Sequence, residues 1–267
     1  MTETFVFSRL DSIEKRFKEV ELLLQFAEDN QDDDKVYATF CRSAHIILVA
    51  HFEGIIKEIC KDIIADINYN TTFDKIPNKI FSTFCEYFLI KEKKECYDIS
   101  INSLKLKLKE AFGNSNSNLK FEPFIQSVDK NLAPSILETI LERFGSNRFF
   151  WSLKNSNLDV VFEDSKTEIE ELKKLLKNHV IESVVNYPYC VNKSIYCPDI
   201  TILDQKSKKT LWEEFIDDLL KERHGIVHGQ KLDNSYSHFS IHEAKIKIEI
   251  LVYVFIINIC CVSNPII

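Results

Sequence analysis

Residues 210–230 read TLWEEFIDDLLKERHGIVHGQ, and this stretch decides both the fold class and the place to look for chemistry. Thr210 and Glu213 stand at the spacing of a capping box, in which each side chain satisfies a backbone N–H at the start of a helix. Phe215, Ile216, Leu219 and Leu220 follow at helical intervals, which predicts an amphipathic helix with one apolar face. Its C-terminal end carries Arg223, His224 and His228. At helical pitch His224 and His228 share a face, whereas Arg223 and His228 diverge by about 140°. A single chain then presents this arginine and histidine in different directions, and a two-fold partner could complete the site with its own pair. Gly225 offers a second solution, by relaxing the helix locally.

Outward from this helix the pattern stays helical. Leu10, Ile13, Phe17, Val20, Leu24 and Ala27 form one apolar stripe that the acidic run Asp32, Asp33 and Asp34 brings to an end. A second long helix is expected over about residues 35–67, lined by Tyr37, Cys41, Ala44, Leu48, Phe52, Ile55 and Ile59, with His45, His51 and Glu53 set among them. A third is expected to begin at Pro77, which suits a first turn, and to carry Ile80, Phe84 and Phe88 on one face. Ser135 with Glu138, Ser165 with Glu168 and Ser240 with Glu243 repeat the capping-box spacing and predict three more helix starts. Gly145 is placed to end the first of these three. Residues 248–262 are almost wholly apolar, but Glu249 and Asn258 interrupt them and they fall short of a bilayer span, so a buried core helix is expected. Two regions resist assignment. SLKLKLKEAF, residues 103–112, fits a strand or a helix, and the chain between His179 and Thr210 reads as irregular with one short strand.

Composition supports the same class. There are five glycines and six prolines in 267 residues, about a third of the usual share, too few for the turns of an all-β sandwich. The formal net charge of −7 argues against broad affinity for nucleic acid. Lys105, Lys107 and Lys109, and Lys206, Lys208 and Lys209, remain local basic stripes that could touch phosphates or simply face solvent. The eight cysteines form no CxxC pair and fit a reducing interior. Residues 1–17 contain no apolar leader segment, so a cytoplasmic protein is expected, folded as one elaborated domain over 1–267.

An arginine that keeps its charge and a histidine that exchanges a proton near neutrality suit phosphate-ester cleavage. Arginine would hold the phosphate and histidine would move the proton of a ribose 2′-hydroxyl or of the leaving 5′-oxygen, a division that needs no metal. Two other assignments use the same residues. HGIVH has the histidine spacing of a zinc helix, but Gly225 occupies the place of the glutamate base and no third ligand stands nearby, so no metal or other cofactor is expected. Alternatively, Arg223 and His228 only cap helix carbonyls, which basic residues at a C-terminus do readily. Glu53 is open in the same way. It either orients Arg223 or a histidine, or pairs with Lys57 one turn on.

The run LLKERHGIVHG resembles the signature of the HEPN superfamily, an arginine and a histidine separated by four to six residues, here Arg223 and His228. His224 directly after the arginine and Gly229 after the histidine are similar as well. The earlier CRSAHIILVAHFEGIIKEI resembles the long helix of a bacterial HEPN group that bears a phenylalanine–glutamate pair, here Phe52 and Glu53. The resemblance implies an all-α helical bundle, with core helices over approximately 5–68 and 210–263. Residues 70–205 find no counterpart and are expected to be a mostly helical insertion. It further implies a homodimer acting as a metal-independent endoribonuclease, a toxin or antiphage effector restrained by an antitoxin or defence-system partner. Arg223 and His228 would be catalytic, His224 would assist, and Glu53 would support them. Some members of the superfamily have lost catalysis, so a dimerisation or RNA-binding module is the alternative. In related toxins an antitoxin modifies a tyrosine two residues after the motif histidine; here that residue is Gln230, which argues against that mode of restraint.

Overall fold

The computed structural model describes residues 3–92, 103, 106–110, 118–125, 131–154, 156–163, 166–196, 209–229 and 236–266. Among them there is no strand. The chain is all-α, as its periodicity predicts. Among the described residues the helices with defined bounds follow in order: α1 Phe5–Asp29, α2 Asp34–Asn70, α3 Asn78–Glu92, α4 Glu122–Ile125, α5 Pro134–Phe144, α6 Phe149–Lys154, α7 Lys166–Ser183, α8 Leu211–Val227 and α9 His238–Val262. Short 3-10 turns lie at Phe73–Lys75, Asn157–Phe162 and Lys193–Ile195.

The pair α1 and α2 forms the base of the bundle. The stripe expected on α1 is buried in full, together with Val6; α1 packs along α2, in which Cys41, Leu48, Phe52, Ile55 and Ile59 are buried as well. Each such side chain contributes roughly 1.5–3 kcal/mol by leaving water. Polar groups fix the register. Arg9 forks onto Asp62 at 2.7 and 3.1 Å, and Arg16 donates to Glu58 at 2.7 Å. Asp66, 1% exposed, accepts from the backbone N–H groups of Phe5 and Val6 at 2.8 and 3.2 Å and from the Tyr189 hydroxyl at 2.7 Å. The carboxylate thereby satisfies two of the N–H groups that a helix start leaves without intrahelical partners.

Over this pair lies α9, the expected core helix, with every residue from Ile248 to Cys260 buried. Its interruptions are accommodated by partners. Asn258 donates to the Tyr196 hydroxyl and the Val254 carbonyl, while Lys245, 1% exposed, pairs with Glu21 and with Glu249 at 3.2 Å. Helix α7 packs along α9, α8 docks on α2, and α3 to α6 form a flanking layer that reaches α2, α8 and α9. No helix among the described residues is long and apolar enough to cross a membrane.

Several expected boundaries shift. Ser135 does not cap α5, which starts at Pro134 with Ala133 before it and no side-chain cap; Glu138 accepts instead from Phe149 N–H at 3.1 Å and Phe150 N–H at 2.8 Å. Proline fits the first helical position, so the start moves two residues upstream, from a cap at Ser135 to one at Ala133, and Glu138 is free to cap α6. Ser240 likewise lies inside α9, whose cap is Ser237, with the Tyr37 hydroxyl accepting from His238 N–H at 3.0 Å. Pro77 precedes α3, its carbonyl accepting from Phe81 N–H at 3.0 Å. Gly145 ends α5 with φ 109°, as expected. Residues 106–110 are helical, and no strand occurs in the described part of 179–210, where α7 continues to Ser183 and Lys193–Ile195 makes a single turn. Ser165, Lys105, Lys206, Lys208, Gln230, the side chain of Phe88 and residues 197–208 lie outside the described residues.

Candidate functional site

Helix α8 begins with the capping box its sequence predicts. Thr210 Oγ1 accepts from Glu213 N–H at 3.2 Å, and Glu213 Oε2 accepts from Thr210 N–H at 2.7 Å. Trp212, Ile216, Leu219 and Leu220 are buried beneath it, and Phe215 meets Phe162 and Trp212 edge-on. His45 of α2, 1% exposed, hydrogen-bonds through Nε2 to the Leu219 carbonyl at 3.0 Å and stacks on Tyr236. His45 is thus a packed histidine that ties α8 to α2. His51 is half-buried and pairs with Glu19 at 2.9 Å, away from α8.

The helix stays regular through Gly225 and runs to Val227. His228 takes the C-cap, its N–H donating to the His224 carbonyl at 3.1 Å, and the left-handed turn comes at Gly229 with φ 65°. The local relaxation considered at Gly225 is therefore absent, and the reversal falls on a glycine that adopts positive φ without steric cost. The imidazoles of His224 and His228 are exposed, with ring centroids 4.2 Å apart and planes inclined at 53°. The shared face read from their spacing is real.

Arg223 turns the other way. Its Nη1 donates to Asn131 Oδ1 at 2.8 Å, and its Nη2 lies 4.0 Å from Glu53 Oε2, both side chains of the ion pair being about one-quarter exposed at 25% and 22%. The guanidinium therefore meets a carboxamide and a carboxylate, and caps no carbonyl of α8. Of the partners expected for Glu53, namely Arg223, a histidine or Lys57, the structure pairs it with Arg223 and with neither of the others. Glu53 Oε1 also accepts from Leu132 N–H at 3.3 Å.

Two groups of residues result, one of Arg223, Glu53 and Asn131 and one of His224 and His228. No hydrogen bond, ion pair or ring contact joins them in one chain. Asn131 was not foreseen, because it sits in a segment without readable periodicity and carries no motif. The basic stripes fare unevenly. Lys109 donates to Asn78 at 2.9 Å and lies over Phe81, Lys209 pairs with Asp217, and Lys107 is exposed. Among the described residues no group of three or more His, Cys, Asp or Glu side chains is placed to hold a metal ion.

No curated protein and no solved structure matches the chain. A family model does, over residues 11–260, and its description is RiboL-PSP-HEPN. The matched span runs from α1 to α9 and includes residues 70–205 as well as both the Phe52–Glu53 and Arg223–His228 segments. With nearly the whole helical bundle inside that match, the chain belongs to the RiboL-PSP-HEPN family of the HEPN superfamily.

Proposed function

We propose that this HEPN protein is a metal-independent endoribonuclease whose active site forms where two copies of the chain meet. HEPN domains are generally ribonucleases, with some non-catalytic members. The observation that carries the catalytic assignment is the state of the motif residues. Arg223 is held by Glu53 and Asn131 at the edge of the bundle, while His224 and His228 stand exposed with only each other as ring partners. A guanidinium fixed in this way is ready to grip the scissile phosphate, and exposed imidazoles are ready to exchange protons with a substrate.

In the proposed reaction Arg223 binds the phosphate and stabilises charge on its equatorial oxygens. One imidazole, His228 or the corresponding histidine of the second copy, accepts the proton of the ribose 2′-hydroxyl. The 2′-oxygen bonds to phosphorus as the bond to the 5′-oxygen breaks, and a protonated imidazole supplies the leaving oxygen with its proton. The products are a 2′,3′-cyclic phosphate and a 5′-hydroxyl. His224 assists by orienting the imidazole of His228 beside it, and Glu53 by holding Arg223. The dimer follows from direction, because Arg223 faces α2 while the histidines face solvent. The biological setting we propose is a cytoplasmic toxin or antiphage effector, restrained by a cognate protein partner.

The test is incubation of the purified protein with total RNA in EDTA, followed by end-group analysis. Cleavage leaving cyclic phosphate and 5′-hydroxyl ends supports the proposal. Activity lost in EDTA and restored by zinc, manganese or magnesium overturns it.

A further inference from the structure

Resting on this ribonuclease assignment, we infer that Asn131, which lies outside the Arg–His motif, is a positioning residue for Arg223. Its Oδ1 accepts from Arg223 Nη1 at 2.8 Å across a separation of 92 positions in sequence, and among the described residues it is the guanidinium's one hydrogen-bond acceptor. Glu53 stands at 4.0 Å from Nη2, beyond hydrogen-bond range and within reach of charge attraction. The two contacts therefore do different things. A carboxylate at that distance attracts the guanidinium without selecting its orientation, whereas an acceptor in contact sets the plane of a fork whose use on phosphate depends on geometry.

Asn131 is itself held. Its carbonyl accepts from Ala133 N–H at 2.7 Å, and the adjacent Leu132 is fully buried and donates its N–H to Glu53 Oε1 at 3.3 Å. Consecutive residues thus grip the arginine and its counter-ion. A neutral amide also leaves the arginine its full charge, and the remaining N–H donors stay available for a phosphate ester of RNA. An aspartate in the same place accepts the same hydrogen bond, but with Glu53 it sets two carboxylates against one guanidinium and competes with the substrate.

Steady-state cleavage of a defined RNA oligonucleotide by wild type, Asn131→Ala, Asn131→Asp and Arg223→Ala, with thermal melts of each, tests this role. Asn131 is exposed, so its variants are expected to fold. Asn131→Ala should lower kcat about tenfold with KM little changed, the loss of one hydrogen bond to a charged group felt in the transition state. Asn131→Asp should recover most of kcat and raise KM, because the acceptor returns with an unwanted charge. Wild-type kinetics in Asn131→Ala overturn the inference. So does an equal fall of kcat and melting temperature in both variants, which marks a purely structural residue. Undiminished cleavage by Arg223→Ala, or none by wild type, defeats the ribonuclease assignment and the inference with it. A silent Arg223→Ala beside an unaltered Asn131→Ala defeats the inference alone.

Discussion

Arg223 and His228 occupy one helix end but face different surroundings, one tied back to α2 and the other open to solvent. If both act in the transition state, each is indispensable. Arg223→Ala is expected to lower cleavage by roughly 10²–10³-fold and His228→Ala by roughly 10²–10⁴-fold, the usual scale for losing charge stabilisation or acid–base catalysis. Circular dichroism should be unchanged, since neither side chain is in the core, and cellular toxicity should vanish with cleavage. His224→Ala should retain more activity than either. Wild-type cleavage in Arg223→Ala or His228→Ala would show that the site lies elsewhere. The motif residues were legible in the sequence because they are neighbours on one short helix, where spacing alone fixes direction. Glu53 was legible only as a choice among Arg223, a histidine and Lys57, since helical spacing offers the local partner and says nothing about α8. Asn131 was invisible, because a carboxamide in an aperiodic segment acquires its meaning from a contact 92 positions away.

At the level of helices, the stripe of α1 was read in full and that of α2 in all but the half-buried Tyr37, while helix starts were read less well. Thr210 with Glu213 forms the capping box that its spacing predicts. At α5 a proline fits the start better than the serine after it, and at α9 two serines three apart offer the same chemistry one turn apart. The contest at α9 is settled by Tyr37, whose hydroxyl accepts from His238 N–H and so holds the earlier turn. Ser237→Ala should therefore cost about 1 kcal/mol in a denaturant titration, and Ser240→Ala only a few tenths. A larger loss from Ser240→Ala would place the functional cap where the sequence spacing put it.

The whole bundle responds to pH through groups that the fold desolvates. Partial desolvation lowers the pKa of His242 below its ordinary 6.5 although its side chain stays exposed to solvent, with Lys245 adding to the shift and Glu170 and Glu21 opposing it, and burial lowers that of the half-buried His179 in the same direction. In both cases the unfolded chain takes up the proton first. Stability from these histidines is present above pH 6.5 and is lost as pH falls below it, through the folded-state values. Asp62, Asp66 and Glu138 have the opposite sign, because burial raises them and acidification towards the carboxylate range favours the folded form. A melt series from about pH 7 to 5 on wild type and His242→Gln separates the two. The variant should lose less stability over that range, and an identical slope would exclude His242 as a contributor. Assembly is the second property of the whole molecule. Sedimentation should give a homodimer at micromolar concentration, and mixing Arg223→Ala with His228→Ala subunits should restore part of the cleavage if each site draws one residue from each copy. A monomer, or a mixture as inactive as its parents, would remove the composite site. The seam where Asp66 meets Phe5 and Val6 has a further consequence for the order of events during synthesis. The carboxylate that closes the start of α1 is translated 61 residues after Phe5, so the first helix leaves the ribosome with those two N–H groups facing water. They stay so until α2 is complete and folds back, and α1 and α2 therefore reach their final form as one unit.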